Sequence, residues 1–350
     1  MLPQYSKTFF KRRKIILVIF LLIVTCVITI FHTQYKPDLY FLTWDPLDDI
    51  SCHYSVEGDA LPQIDENTKL PAHSIFFHET SCRGRLNSRQ ACAVESAART
   101  HPKWQVNVMF AGPVTKRNLN NGCLEALKTF DNVKFFRLHL VEYAQGTPLE
   151  DMVSDGALNR TRWRIAHTSD VLRYLSLYKW GGVYLDLDMV VAKSFESLVN
   201  NWSARETIYS VAAGVILCLY VLCHLLIIPS STFFRNFKDC YRGDKWGHNG
   251  PGVITRILQE MCDTDTLTNM SADTCHGFGV YGPELFYPIS WMNASDYFKP
   301  GDLHFGDPYT YHVWNKLTQD FKVKKDSVYA KLAQKYCPTI YELYGNLFGM

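Results

Sequence analysis

The 350-residue chain has no Cys-x-x-Cys pair and no Gly-x-Gly-x-x-Gly after its first predicted strand. It also carries almost no net charge, with 36 Lys and Arg against 34 Asp and Glu. Each absence excludes something. Without paired-cysteine spacing the cysteines are not laid out as a zinc site. Without a glycine fingerprint at the first βα turn there is no dinucleotide cradle of the usual kind. The basic residues are scattered rather than striped, so no nucleic-acid partner is indicated. Charge is also missing locally, in two places. Ile15 to Phe31 has no charged residue, and Thr25 and Thr29 are its only polar members; Val211 to Ile228 is nearly as bare. What remains, at 47% hydrophobic, is enough to build one large domain or two packed lobes around a sizeable core.

The first bare stretch is about the minimum length for a spanning helix. It follows Lys11-Arg12-Arg13-Lys14, and a basic flank on the N-terminal side keeps that end cytosolic. A cleaved signal peptide is the alternative, but no small-x-small cleavage site follows. The expected layout is a cytosolic tail over 1–14, an uncleaved transmembrane signal anchor over 15–31, a stem over 32–72 rich in Pro, Asp and Tyr, and a lumenal body from about Ser74. Sequons at Asn159, Asn201, Asn269 and Asn293 agree with a lumenal body. So do cysteines 52, 82, 92, 123, 240, 262, 275 and 337, which fit disulfides better than a metal site. Cys82 with Cys92 and Cys262 with Cys275 are the expected pairs.

From Ser74 strands and helices alternate. The pattern predicts strands over Ser74 to His78, Val106 to Phe110, Val133 to Leu138 and Val183 to Val191, with helices over Cys92 to Thr100, Leu119 to Phe130 and Ile165 to Lys179. Such βα alternation implies an α/β fold with a mostly parallel, Rossmann-like sheet. Ligands then sit at the carboxyl ends of the strands. The first strand ends in Phe77-His78-Glu79-Thr80-Ser81, where a base and ribose could be held; an ordinary polar turn is the alternative.

Ser169 to Val191 carries the most information. A helical stretch breaks at Gly181-Gly182, and an apolar strand then delivers Asp186 and Asp188 two residues apart, on one face of the strand. Two hard oxygen ligands side by side suit Mn²⁺ or Mg²⁺, which fills its other positions with water and substrate phosphates. A bare Asp-x-Asp is weak, but two acids in so apolar a strand are costly unless paired or metal-bound. This is a nucleotide-sugar site in outline.

With these blocks the chain resembles the α-1,4-glycosyltransferases, the family of the globotriaosylceramide synthases. The resemblance is carried by FFHETS at Phe76 to Ser81, CAVESAARTHP at Cys92 to Pro102, SDVLRY at Ser169 to Tyr174 and GGVYLDLD at Gly181 to Asp188. It continues in WGHNGPGVITRIL at Trp246 to Leu258, FYPISW at Phe286 to Trp291 and HVWNK at His312 to Lys316. It implies a GT-A type nucleotide-sugar-binding fold, type II Golgi membrane topology, a UDP-sugar donor, Mn²⁺ and retention of anomeric configuration. The two halves of the catalytic domain would be 73–200, with the Asp-x-Asp motif, and 201–350, binding acceptor. Asp186 and Asp188 become the metal and diphosphate site, with His312 a candidate third ligand. Donor-binding candidates are His78, Glu79, Thr80, Asp170, Arg173, Tyr184, Asp186 and Lys316. The catalytic candidates are Asp186, Asp188, Arg173 and Asn249, and the acceptor candidates are Trp246, His248, Asn249 and Trp291, with Trp314 a further face for sugar stacking. Asp170 and Arg173 could equally be an N-cap and a buried ion pair, and the aromatic residues could be core.

The resemblance implies transfer of galactose or N-acetylgalactosamine from UDP-Gal or UDP-GalNAc to a 4-hydroxyl of a terminal galactose-type residue, on a glycosphingolipid. With no second carboxylate placed by a motif, same-face attack by the acceptor is the expected route to retention. A catalytically inactive Golgi glycan-binding homologue and a UDP-sugar hydrolase are the rival readings. The chain departs from the family between 213 and 235, an atypical apolar segment with three readings: a buried part of the fold, a second membrane span that would split the site, or translated intron.

Overall fold

The computed structural model describes residues 20, 21, 23–25, 48–55, 58–65, 67–218, 230–302 and 305–350. The chain divides into Met1–Leu47 and Asp48–Met350. In the first unit Phe20, Leu21 and Ile23 to Thr25 are helical. The rest of the expected anchor, the cytosolic tail and residues 32–47 of the stem lie outside the described residues. Among the described residues no helix is long and apolar enough to cross a membrane.

The second unit is built on a seven-stranded sheet. Its strands are β1 (Ser74–Glu79), β2 (Gln105–Phe110), β3 (Val133–Arg137), β4 (Gly182–Leu185), β6 (Asn201–Arg205), β7 (Val211–Cys218) and β8 (Phe278–Tyr281), in the order β3-β2-β1-β4-β7-β6-β8. A separate pair joins β5 (Met189–Val191) to β9 (Thr310–His312). In the large sheet β3, β2, β1 and β4 run parallel to one another, β7 runs antiparallel to β4 and β6, and β8 is parallel to β6. The fold is mixed α/β with a mostly parallel sheet.

Strand alternation divides the core. On β1, Ile75 and Phe77 pack to one side with helix α1 (Ser88–Thr100), while Phe76 packs to the other with helix α2 (Arg164–Trp180). Both faces are covered, which is why these strands read as continuous apolar runs. Each fully buried Phe contributes about 2–3 kcal/mol. α1 starts on a capping box, Asn87 accepting from Gln90 N and Gln90 from Asn87 N. α2 starts on a cap from far away: the Asp48 carboxylate accepts from Arg164 N at 2.8 Å and Ile165 N at 2.9 Å. That helix sets Asp170 and Arg173 one turn apart on the side facing β4 and β7.

Four expectations change. The predicted helix over Leu119 to Phe130 is two short pieces, Lys116–Leu119 and Gly122–Leu127, broken where Gly122 takes φ +55°. The body begins before Ser74. Ile50 and His53 are 1% exposed, and Asp59 pairs with Arg137 at 2.8 Å, so residues from Asp48 onward belong to the core rather than to a stem. Cys82 pairs with Cys52 and Cys92 with Cys337. Cys92 lies inside α1, facing the C-terminal helices α5 (Val328–Tyr336) and α6 (Pro338–Tyr344), and cannot meet the loop that holds Cys82. Cys262 pairs with Cys275 as expected, while Cys123 and Cys240 are unpaired. Asn201 is buried in β6, whereas Asn159, Asn269 and Asn293 are exposed, so Asn201 offers no surface for a glycan.

The atypical segment is partly accounted for. Residues 213–218 lie in β7, an interior strand bonded on both edges. Residues 230–235 open helix α3 (Ser230–Asp239), which precedes α4 (Pro251–Met261); Phe233 meets Tyr174 at 4.7 Å and Phe234 meets Tyr178 at 5.3 Å on α2. A membrane span over 211–228 would take β7 out of the sheet. Residues 219–229 lie outside the described residues.

Candidate active site

The site grows out of the turn joining β4 to β5. β4 ends at Leu185, Asp186 to Asp188 bend the chain, and Met189 N donates to Asp186 O at 3.0 Å. The expected unbroken strand over Val183 to Val191 is therefore interrupted at the two acids, because β4 pairs with β1 and β7 whereas β5 pairs with β9. The turn still brings the carboxylates together. Met189 sits opposite His312 across the small sheet, and one ligand atom from each of Asp186, Asp188 and His312 lies within 4.8 Å of the others.

Asp188 is firmly held. His312 Nε2 is 2.9 Å from Asp188 Oδ1, and Asn315 N donates to Asp188 Oδ2 at 2.7 Å. Burial pushes this carboxyl up, but His312 and the Asn315 N–H outweigh burial and hold it below the ordinary range. His312 responds in kind: burial lowers it, and Asp188, Asp186 and Glu206 together raise it. Its ring lies 3.9 Å from Trp314, whose Nε1 donates to Ile289 O at 2.8 Å. Trp314 is thus a wall that fixes His312 rather than a free face for sugar.

On the other side Arg173 ties the helix to the turn. Its guanidinium donates to Ala213 O at 2.6 Å and lies 3.1 Å from Asp170 Oδ1 and 3.5 Å from Asp186 Oδ1. It also covers the Tyr184 ring at 4.6 Å, and Tyr184 Oη donates to Asp186 Oδ1 at 2.6 Å. Burial pushes the Asp170 carboxyl up to about 7, the nearby Arg173 only partly opposing it. Two glycines make room for these acids. A Cβ on Gly214 would stand 2.7 Å from Asp186 Oδ2 and 3.2 Å from Tyr287 Oη, and a Cβ on Gly250 would collide with Asp170 Oδ1.

Other candidates are placed elsewhere. His78 is buried between β1 and α2, with Nε2 2.9 Å from Ser176 Oγ, and burial takes it down to about 3. It underlies Tyr184 at 5.3 Å and supports the site from below rather than lining it. Thr80 Oγ1 donates to Ile165 O at 3.2 Å. Glu79 accepts from Ser81 N at 2.9 Å, but its buried Oε2 has no hydrogen-bond partner and burial raises its pKa. Asn249 is 1% exposed; it accepts from Arg242 N at 2.9 Å and donates to Arg242 O at 2.8 Å. With its amide engaged on backbone, Asn249 is not set to contact an acceptor hydroxyl. His248 Nε2 is 2.9 Å from Cys240 O. Trp246 meets Trp163 edge-on at 5.3 Å and lies 5.9 Å from Lys316 Nζ. Trp291 opens a short helix and packs against the main core.

Two residues were not singled out by sequence. Tyr287, inside the FYPISW block, has a buried hydroxyl without a hydrogen-bond partner beside Gly214. Glu206, in the β6–β7 turn, interacts electrostatically with Asp186, His312 and Tyr287. No motif marks either role, because both depend on contacts far apart in the chain.

Comparison with known proteins decides the family. Residues 230–344 match the profile "Alpha 1,4-glycosyltransferase conserved region", and residues 87–209 match "Glycosyltransferase sugar-binding region containing DXD motif". Human lactosylceramide 4-alpha-galactosyltransferase is 34% identical over 281 residues, covering 77% of this chain and 76% of the relative. The chain belongs to the α-1,4-glycosyltransferase family. The mouse lactosylceramide 4-alpha-galactosyltransferase is also 34% identical, over 82% of this transferase and 80% of its own length. Human alpha-1,4-N-acetylglucosaminyltransferase is 27% identical over 76% of the transferase and 79% of the relative. Among solved structures, the galactosyltransferase LgtC with donor and acceptor sugar analogues aligns with a TM-score of 0.40 at 16% identity, over 75% of this chain and 96% of that one. Family membership makes the protein a hexosyltransferase.

Proposed function

We propose that this transferase has a GT-A type fold and moves galactose, or N-acetylgalactosamine, from its UDP conjugate to the 4-hydroxyl of a galactose-type terminus on a glycosphingolipid, with retention. The observation that carries the reading is the convergence of Asp186, Asp188 and His312 within 4.8 Å beside the end of β4. Two carboxylate oxygens and an imidazole nitrogen are a donor set suited to Mn²⁺ or Mg²⁺, and a divalent cation would replace the proton that His312 and Asp188 share. When bound, such an ion supplies Lewis-acid stabilisation of the departing diphosphate. Arg173, fixed by Ala213 O and paired with Asp170 and Asp186, holds the Asp186 carboxylate in place and adds positive charge near the phosphates. The identity to galactosyltransferases supports galactose as the first donor to try. The basic Lys11 to Lys14 cluster before the apolar 15–31 run supports type II Golgi placement with the catalytic unit lumenal.

The test is UDP release by the full-length protein in detergent, with UDP-Gal or UDP-GalNAc, lactosylceramide and Mn²⁺. The expected result is acceptor-dependent release, abolished by EDTA and reduced at least about 1000-fold in Asp188→Asn. Release that ignores the acceptor would make it a hydrolase. No release from a folded, UDP-binding protein would make it an inactive homologue.

A further inference from the structure

Tyr287 is fixed at the proposed cation site by its main chain, its ring and its hydroxyl. The main chain is tied to β9 and the residue before it. Tyr287 N donates to Pro283 O at 2.7 Å, Tyr309 N to Leu285 O at 2.7 Å, and Thr310 Oγ1 to Phe286 O at 2.8 Å. The ring stands edge-on to His312 at 5.4 Å and lies 5.8 Å from Trp314. The hydroxyl reaches Gly214, where the position of a Cβ would be 3.2 Å from Tyr287 Oη and 2.7 Å from Asp186 Oδ2. Tyr287 is 3% exposed, and its Oη has no hydrogen-bond partner. A hydroxyl buried in this way is unfavourable, because nothing repays its desolvation.

The two acids of the site are not held alike. Both oxygens of Asp188 are engaged, by His312 and by Asn315 N, and its side chain is 14% exposed. The Asp186 side chain is 28% exposed, and its bonds fall on one oxygen: Oδ1 accepts from Tyr184 Oη at 2.6 Å and lies 3.5 Å from Arg173. Among the described residues no donor is bonded to Asp186 Oδ2, the oxygen that borders the same space beside Gly214 as Tyr287 Oη. A carboxylate that ligates a metal is itself hydrogen-bonded, and that second bond fixes which lone pair meets the ion. A phenol is protonated at neutral pH and can donate such a bond. We infer that Tyr287 is a positioning residue whose hydroxyl donates to Asp186 Oδ2 when the cation is bound, as Tyr184 donates to Oδ1. This rests on the cation reading above. The less confined carboxylate shifts to make the bond, because the Tyr287 main chain is tied on both sides. Tyr287 takes no part in the bonds made and broken during transfer; it acts through Asp186.

The experiment compares full-length wild type with Tyr287→Phe, which removes only the hydroxyl. Three quantities are read: the thermal midpoint in EDTA, the Kd for Mn²⁺ by paramagnetic resonance with and without UDP, and the Mn²⁺ concentration for half-maximal turnover of UDP-Gal with lactosylceramide. In Tyr287→Phe the Kd for Mn²⁺ should rise at least about tenfold whether or not UDP is present, and the half-activating concentration should rise with it. The midpoint in EDTA should be no lower than that of wild type, because the hydroxyl has no bond to lose there. A purely structural role would give the reverse, a lower midpoint and an unchanged Kd. A Kd within about twofold of wild type would overturn the inference. So would a midpoint in EDTA lower by more than a few degrees, or a loss of Mn²⁺ affinity confined to samples with UDP, which would assign the hydroxyl to the diphosphate. Wild type that binds no Mn²⁺ would instead defeat the cation reading, and this inference with it.

Discussion

Gly214 and Asp186 meet so closely that the residue at 214 controls the acid. A Cβ at 214 would stand 2.7 Å from Asp186 Oδ2, nearer than carbon and oxygen approach without displacement, and 3.2 Å from Tyr287 Oη. Gly214 O accepts from Asp186 N at 2.9 Å and the next residue, Val215, pairs with Leu185 on β4, so the carboxylate must give way rather than the backbone. Gly214→Ala is therefore expected to lower kcat/KM at least about tenfold, to raise the Mn²⁺ concentration needed for half activity, and to leave the thermal midpoint within a few degrees. A metal titration of UDP release on the variant checks it; an unchanged titration would mean that Asp186 has room elsewhere. The same close approaches explain what could be read from sequence. Asp186, Asp188, His312, Asp170 and Arg173 were legible because they sit in blocks whose residue types match the chemistry. Asn249 and His78 sit in similar blocks, yet their polar atoms serve Arg242 backbone and Ser176. Sequence shows that a polar residue is present, not which partner it satisfies.

At the level of elements, the alternation of strands and helices was legible because both sheet faces are buried and each parallel connection needs a helix. The break between β4 and β5 was not, since an apolar run looks the same whether it continues one sheet or passes to a second. Disulfide connectivity was equally hidden, as it depends on which helices pack together. Cys92 on α1 is joined to Cys337, at the junction of α5 and α6, across a sequence separation of 245. Glu95, one turn along α1, accepts from Thr339 N at 2.9 Å and Ile340 N at 2.8 Å, capping α6 with a buried carboxylate. The bond and the cap act on the same interface. Closing so long a loop restricts the unfolded chain by about 5 kcal/mol in the chain-entropy picture, and measured values run from about 2 to 5. The Cys92→Ser, Cys337→Ser double variant should lose stability in that range, read as a lower urea midpoint. A midpoint matching wild type would show that the Glu95 cap and its packing suffice alone.

Across the whole catalytic unit, stability is tied to pH through histidines that the fold holds neutral. His53, His78 and His101 are all buried, and burial is the first cause of each depression: His53 and His101 fall from 6.5 to about 4 and His78 to about 3. Their contacts agree with neutral rings. His101 Nε2 accepts from Phe195 N at 2.9 Å, a bond that a second ring proton would remove. These histidines tie separate layers together, His53 joining the 48–55 segment to Thr80 O, His78 joining β1 to α2, and His101 joining α1 to Phe195. Because the folded values are depressed, the unfolded chain takes up protons first as pH falls below 6.5. Stability is therefore full above that value and drains away toward about pH 4, at up to about 1.4 kcal/mol per pH unit for each histidine and about 3 kcal/mol in all for His101. His312 has the opposite sign: its raised value adds stability below 6.5 that fades as pH climbs through it. One histidine of that sign offsets only part of what three remove. Urea midpoints taken from pH 7.5 to 4.5 should fall steeply below about 6. In His101→Gln, whose amide can still accept from Phe195 N, the slope of ΔG against pH in that window should lessen by about one proton's worth, close to 1.4 kcal/mol per unit. An unchanged slope would mean that His101 titrates near its ordinary value and that acid unfolding is driven by the other buried groups.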